Sequence, residues 1–341
     1  MQVRQPCWMT RYDVRVKSPF RIRPDLQRVT MDGFAYPLGV EVAPARPSRE
    51  GYCMTWVEAE GDGPDTYTFL VVVSHERLKS LLTACFSLLP EQVAGIMEVG
   101  SRDAFRAVDV FLGASTVSID RFRATWNRYE AIFLEDASLA VGVNTESPFM
   151  EVFLDQDKRV TIHVEPGARE DIESMLMKQG LKECDEQELM VAESELERTV
   201  VRPVMLDDPS LLCDVDQLLL ALRHELELVL DEDQDRNLDA SGRDLGRTLW
   251  HAIVLLEACG GIADGQAHAM AWVVCGSRNE VESLLRERIE DDTDWSFSEF
   301  YTLDRVAFDD RPEALVDLAP RHPRSEIFML EVESLESDAG E

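Results

Sequence analysis

The sequence predicts an α+β protein made of about three meander-plus-helix units in tandem, each a mostly antiparallel sheet backed by helices. The first observation is a recurrence. Phe69-Leu70-Val71-Val72-Val73-Ser74 precedes Leu78-Lys79-Ser80-Leu81-Leu82, and Val160-Thr161-Ile162-His163-Val164 precedes Ile172-Glu173-Ser174-Met175-Leu176. Trp272-Val273-Val274-Cys275-Gly276-Ser277 precedes Val281-Glu282-Ser283-Leu284-Leu285 in the same way. A repeated strand–turn–helix unit speaks to architecture before any single motif does. The second observation is alternation of apolar and polar residues within the strands. The third is their turn-length connections, since parallel strands need crossovers of about a dozen residues. Edge strands of consecutive units are free to pair into continuous sheets.

The first unit, residues 1–115, opens with a basic arm. Within residues 1–28, Arg4, Arg11, Arg15, Lys17, Arg21, Arg23 and Arg28 face only Asp13 and Asp25, a net of +5. Tyr12, Val14 and Val16 alternate with Arg11, Asp13, Arg15 and Lys17, the period of a half-exposed strand. Such an arm is expected to lie against the acidic body of its own or a neighbouring subunit. Met9 is an alternative start. Strands are expected at 39–43, 52–60 and 67–73, the last two flanking the turn Gly61-Asp62-Gly63-Pro64. A helix follows over 75–88, with Ser74 as its N-cap.

The second unit, 116–198, lies between boundaries expected near 113–116 and 183–197. Its first helix, 118–130, carries Ile119, Phe122, Trp126 and Tyr129 on one face. Four short strands follow at 131–135, 139–145, 150–154 and 159–164. Pro166 and Gly167 open a helix to Lys178, which Gly180 closes. In the third unit, 199–341, Pro209 at N1 starts a helix over 208–224. Residues 225–230 stay open between helix and strand. Strands are expected at 248–258 and 267–275, and Ser277 with Glu280 forms a capping box. Trp295-Ser296-Phe297-Ser298-Glu299-Phe300-Tyr301 reads as an edge strand whose aromatic face covers the core or forms a contact surface. The acidic tail from 331 is expected to fray.

Charge narrows function. Sixty-six acidic residues face 34 basic ones, a net of −32. Such a surface repels nucleic-acid phosphates and anionic lipid, so neither nucleic acid nor membrane is an expected partner. No apolar run reaches the ~20 residues that span a bilayer, and no signal-peptide core is present. Seven scattered Cys without a C-x-x-C pair fit reduced thiols in a cytoplasm.

The acidic loop after residue 230 is the candidate ion site. Asp233, Asp235, Asn237, Asp239, Ser241 and Asp244 fall at positions 1, 3, 5, 7, 9 and 12 of an EF-hand-like spacing. Leu238 replaces the turn glycine and Asp244 the bidentate Glu, which favours a solvated hairpin tip. The histidines (75, 163, 224, 251, 268, 322) show no H-x-H or H-E-x-x-H spacing. No G-x-S-x-G elbow or phosphate loop occurs, and Cys275 at a strand–helix junction reads as a buried thiol rather than an activated one. No catalytic residue is designated and no cofactor is expected. The reading is a non-catalytic, intracellular binding or regulatory protein acting through protein–protein contacts, its partner another protein or a second copy. The alternatives are a hydrolase-like enzyme assembled from dispersed His and carboxylates, and a weak divalent-cation binder.

Overall fold

The structure, a computed structural model, describes residues 20–42, 49–59, 65–189, 196–198, 203–206, 215–258, 266–318 and 322–335. The arm through residue 19, the turn 61–64 and the helix start expected at 208–214 lie outside them; of the tail expected to fray from 331, residues 331–335 instead end a strand paired in a sheet, and 336–341 lie outside the described residues. Helices and antiparallel sheets alternate, the α+β class the alternation implies. The chain forms two compact units. One is Met1–Val99, Val110–Asp214 and Ala221–Val229, and the other is Gly100–Asp109, Val215–Leu220 and Leu230–Glu341.

The elements through the first unit are β1 (Phe20–Ile22), β2 (Thr30–Met31), β3 (Phe34–Ala35), β4 (Val40–Val42), β5 (Gly51–Val57), β6 (Thr66–Val72) and α1 (His75–Phe86). Next come β7 (Gln92–Gly100), β8 (Val108–Gly113), β9 (Val117–Ser118), α2 (Ile119–Glu135), β10 (Leu139–Glu146), β11 (Phe149–Leu154), β12 (Val160–Val164) and α3 (Arg169–Lys178). Then follow α4 (Glu186–Leu189), β13 (Leu196–Arg198), β14 (Val204–Leu206), α5 (Val215–Leu226) and β15 (Leu228–Leu230). The main sheet runs β15-β8-β7-β10-β11-β12-β6-β5, with β9 also on β7. The meander β10–β12 thus sits between β6 and β7. Val141, Leu154, Val160, Val71 and Tyr52 stand in one cross-strand row, and all five are buried.

Residues 131–135, expected as a strand, are the last turns of α2. Phe122, Trp126, Tyr129 and Phe133 keep the 4-3-4 spacing of one helix face, and all are buried. A strand there would throw alternate residues to opposite faces. Ser118 caps α2, its Oγ accepting from the Arg121 N–H at 3.2 Å. Ser74 does not cap α1 with its side chain. Its Oγ accepts from Ala35 N–H at 3.0 Å, tying β3 to the helix start instead. Gly180, at φ +75°, ends α3 while Leu181 N–H reaches back to Leu176 O at 3.1 Å. Residues 225–230 resolve into the end of α5, Glu227 at φ +56°, and β15.

The second unit holds β16 (Thr248–Ala258), β17 (Gln266–Cys275), α6 (Arg278–Asp292), β18 (Trp295–Val306) and β19 (Glu326–Leu335), in sheet order β18-β16-β17-β19. Here α6 leads into β18, which rejoins its own hairpin at β16. In the first unit α1 leads into β7, which three strands separate from β6. Similar local sequence therefore serves two different sheet arrangements. The aromatic strand is indeed an edge. A register shift against β16 at Leu255/Leu256 puts Phe297 and Phe300, three apart, into the core together. Half of the capping box is as expected, with Ser277 Oγ accepting from Glu280 N–H at 3.2 Å. Glu280 Oε2 answers Gly276 N–H at 2.6 Å rather than the N–H of Ser277.

Candidate functional site

A groove of about 640 Å³ opens in the second unit between α6 and β19. Its construction follows from sequence spacing. Val281, Leu285 and Ile289 repeat every fourth residue and sink into the core. Leu284, one step round the helix, is half-buried and lines the groove. Across from it, Ile327, Leu330 and Val332 of β19 pack partly against the same core and complete an apolar floor. A register shift at Trp272/Val273 leaves Phe328 without a partner in β17. Glu287, Asp291 and the Arg288–Asp292 pair, 2.5 Å apart, form the polar rim on the helix. Among the described residues β19 pairs only with β17, so its outer edge carries no strand.

The face of this sheet opposite the α6 core holds a second constellation. His251 stacks on Trp272 with ring centroids 4.5 Å apart and is the cross-strand neighbour of Asp304. Arg102 Nε stands 3.5 Å from Asp304 and its Nη1 3.0 Å from Asp216. Burial pushes the Asp304 carboxyl up to about 6 against the pull of Arg102. Burial, and then Arg102, push the His251 imidazole below its ordinary value. A carboxyl raised to about 6 beside an imidazole pushed below its ordinary value marks a functional-site candidate. Beside them Arg305, 3% exposed, donates to Asp103 at 2.7 Å, to Asn237 Oδ1 at 2.9 Å and to Leu238 O at 2.7 Å. These partners are up to 202 residues apart and carry no sequence signal.

Arg305 also explains the acidic loop. Asn237 is 2% exposed and donates to Gly246 O and Thr248 Oγ1. Asp233 Oδ1 accepts from the N–H groups of Asp235 and Arg236, and Asp235 from Asn279 Nδ2 at 2.7 Å. Asp239 accepts from Ser241 and Arg243, and the Ser241 hydroxyl above all holds it down to about 2. Asp244 accepts from Gly246 N–H, and Leu238 bridges to Asp244 across the loop. The oxygens that the spacing offered as candidate ligands are thus turned onto separate donors. Among the described residues no group of three or more His, Cys, Asp or Glu is placed to hold a metal ion.

The remaining histidines are spread over different carboxylates. His75 Nε2 lies 3.0 Å from Glu135, and His163 bonds Thr68 at 2.8 Å with Glu151 at 4.0 Å. His268 faces Glu333 at 3.4 Å and His322 faces Glu326 at 3.7 Å. Residue 224 offers its carbonyl to Arg121. Cys275 is fully buried, and burial pushes its thiol up to about 12, overriding any lowering by the nearby helix start. No helix among the described residues is long and apolar enough to cross a membrane. Comparison with protein-family models, with curated proteins and with solved structures finds no match for this chain.

Proposed function

We propose that this chain is a non-catalytic, intracellular binding or regulatory protein that acts through protein–protein contacts made at the α6–β19 groove. The observation that carries this is the pairing of an apolar floor with an open strand edge. An extended segment laid there gains main-chain hydrogen bonds from β19 and pockets for alternate side chains. Soluble proteins commonly cover or blunt such edges, which makes an open one informative. The carboxylates rimming the groove suit a partner with basic side chains. The catalytic alternative has less behind it, because His75, His163, His268 and His322 each face a different carboxylate and burial pushes the Cys85 and Cys275 thiols up to about 12.

Site-directed photo-crosslinking in the cell tests this. A photoreactive residue at Glu287 or Asp291, both exposed on the rim, is expected to give a discrete protein adduct that Leu284→Arg abolishes. Ser283, exposed on α6 but not lining the groove, serves as control. Equal labelling at Ser283, or no adduct from either rim position, refutes the groove as a contact surface.

A further inference from the structure

We propose that the groove receives residues 11–17 of a second copy of this chain, as a strand added to the free edge of β19. This rests on reading the groove as a protein-contact surface and names its occupant. The segment, Arg11-Tyr12-Asp13-Val14-Arg15-Val16-Lys17, lies outside the described residues. On a strand, alternate side chains point to opposite faces, so Tyr12, Val14 and Val16 make one row and Arg11, Asp13, Arg15 and Lys17 the other.

The edge it would join is divided the same way. Leu330 and Val332 pack toward the α6 core, opposite Ala271 and Ala269 of β17. Glu331 and Glu333 stand opposite Met270 and His268, on the other face, and both are exposed. Laid beside β19, the segment extends the apolar row over Leu284 and can set Arg15 and Lys17 against Glu331 and Glu333, the latter already 3.4 Å from His268, with Arg11 adding to the positive charge of the same face. Opposite charges across a strand pair attract and like charges repel. Two copies of β19 pairing directly would instead set carboxylates among carboxylates, so a cationic strand is the better occupant. Seven residues span ~23 Å, which ten-residue β19 accommodates. A second copy is the source because exchange is reciprocal. Each chain gives one arm and takes one, a two-fold arrangement that closes and leaves neither β19 edge unpaired.

Sedimentation equilibrium of the full chain is the test. The wild-type protein is expected to dimerise. The triple variant Arg11→Glu, Arg15→Glu, Lys17→Glu is expected to weaken the dimer about tenfold or more, as is Glu331→Arg with Glu333→Arg. Combining all five substitutions is expected to restore most of the loss, because the charge pairs are re-formed with opposite polarity. Glu331 and Glu333 are exposed, so their reversal leaves the core of the second unit intact. A wild-type chain that stays monomeric up to ~100 µM, a concentration that reveals even weak interfaces, overturns the proposal. So does a dimer indifferent to the arm reversal, or a five-fold variant no tighter than its parents. In each of those cases a photo-adduct at Glu287 with another protein still supports the contact surface, so the two failures are told apart.

Discussion

Glu135 shows how much a single residue can organise. It ends α2, is 1% exposed, and accepts from Arg28 at 3.0 and 2.5 Å, from His75 at 3.0 Å and from Leu38 N–H at 2.9 Å. Its backbone carbonyl accepts from Gly39 N–H at 2.8 Å, and a Cβ on Gly39 would stand 2.3 Å from that oxygen. Burial alone would raise this carboxyl. The hydrogen bonds from His75 and Arg28 outweigh it and hold the group down to about 2. A depressed carboxylate stabilises the fold above its unfolded value near 4.5, and that contribution is lost as pH falls toward 2. Glu135→Gln is therefore expected to cost about 3 kcal/mol at pH 7. The gap between variant and wild type, measured by urea denaturation, should narrow steadily below pH 4.5. A gap that stays constant with pH would mean the charge is not what matters. None of this was legible in the sequence, since Arg28 and Glu135 are 107 residues apart and neither sits in a motif.

At the scale of elements, alternation and spacing found many strands and helices but not β7, β8 or β19. The strands expected at 248–258 and 267–275 match β16 and β17 to within a residue, and His163 points away from Ile162 and Val164 as period two requires. Two departures have separate causes. Short apolar runs fit helix and strand equally, so residues 131–135 carry no local signal that they end α2, and packing decides it. In β18 the two-residue period marks Trp295, Phe297 and Tyr301 as one face, but a register shift against β16 selects Phe297 and Phe300. Bulges depend on the partner strand and leave no reliable local mark. The helical assignment of 131–135 makes a direct forecast. Phe133 is 1% exposed and its ring lies 4.9 Å from that of Trp126. Phe133→Ala is expected to cost about 3–5 kcal/mol, read from chemical denaturation. A cost below about 1 kcal/mol would place Phe133 outside a close-packed core.

For the whole molecule the legible quantity was charge, and the illegible one was the order of strands in the sheets. That β6 lies beside β12 and β7 beside β10 depends on contacts between distant segments, which no window of sequence contains. The candidate groove shares this fate. Its helix was expected from the Ser277–Glu280 capping signal, but its strand was not, and β19 with its pairing to β17 emerges only in the structure. The charge itself has a measurable effect. With −32 on 341 residues, carboxylates outnumber bases, and the folded chain works against its own field even after every Arg and Lys is paired. The melting temperature is expected to rise between low salt and ~0.15 M, where the Debye length falls to ~8 Å. A flat profile would show that the excess charge is too dispersed to repel.

The central claim is that the outer edge of β19 is where this protein binds. Amide hydrogen exchange over Glu326–Leu335, followed in the full chain from dilute to concentrated solution and with any partner recovered by crosslinking, addresses it directly. Amides on an unpaired edge exchange readily, and those in a ladder are protected. Protection is expected to spread to the outward-facing amides of β19 as the complex forms, while those already paired with β17 change little. A complex that forms with the outward amides still exchanging as in the free chain contradicts it.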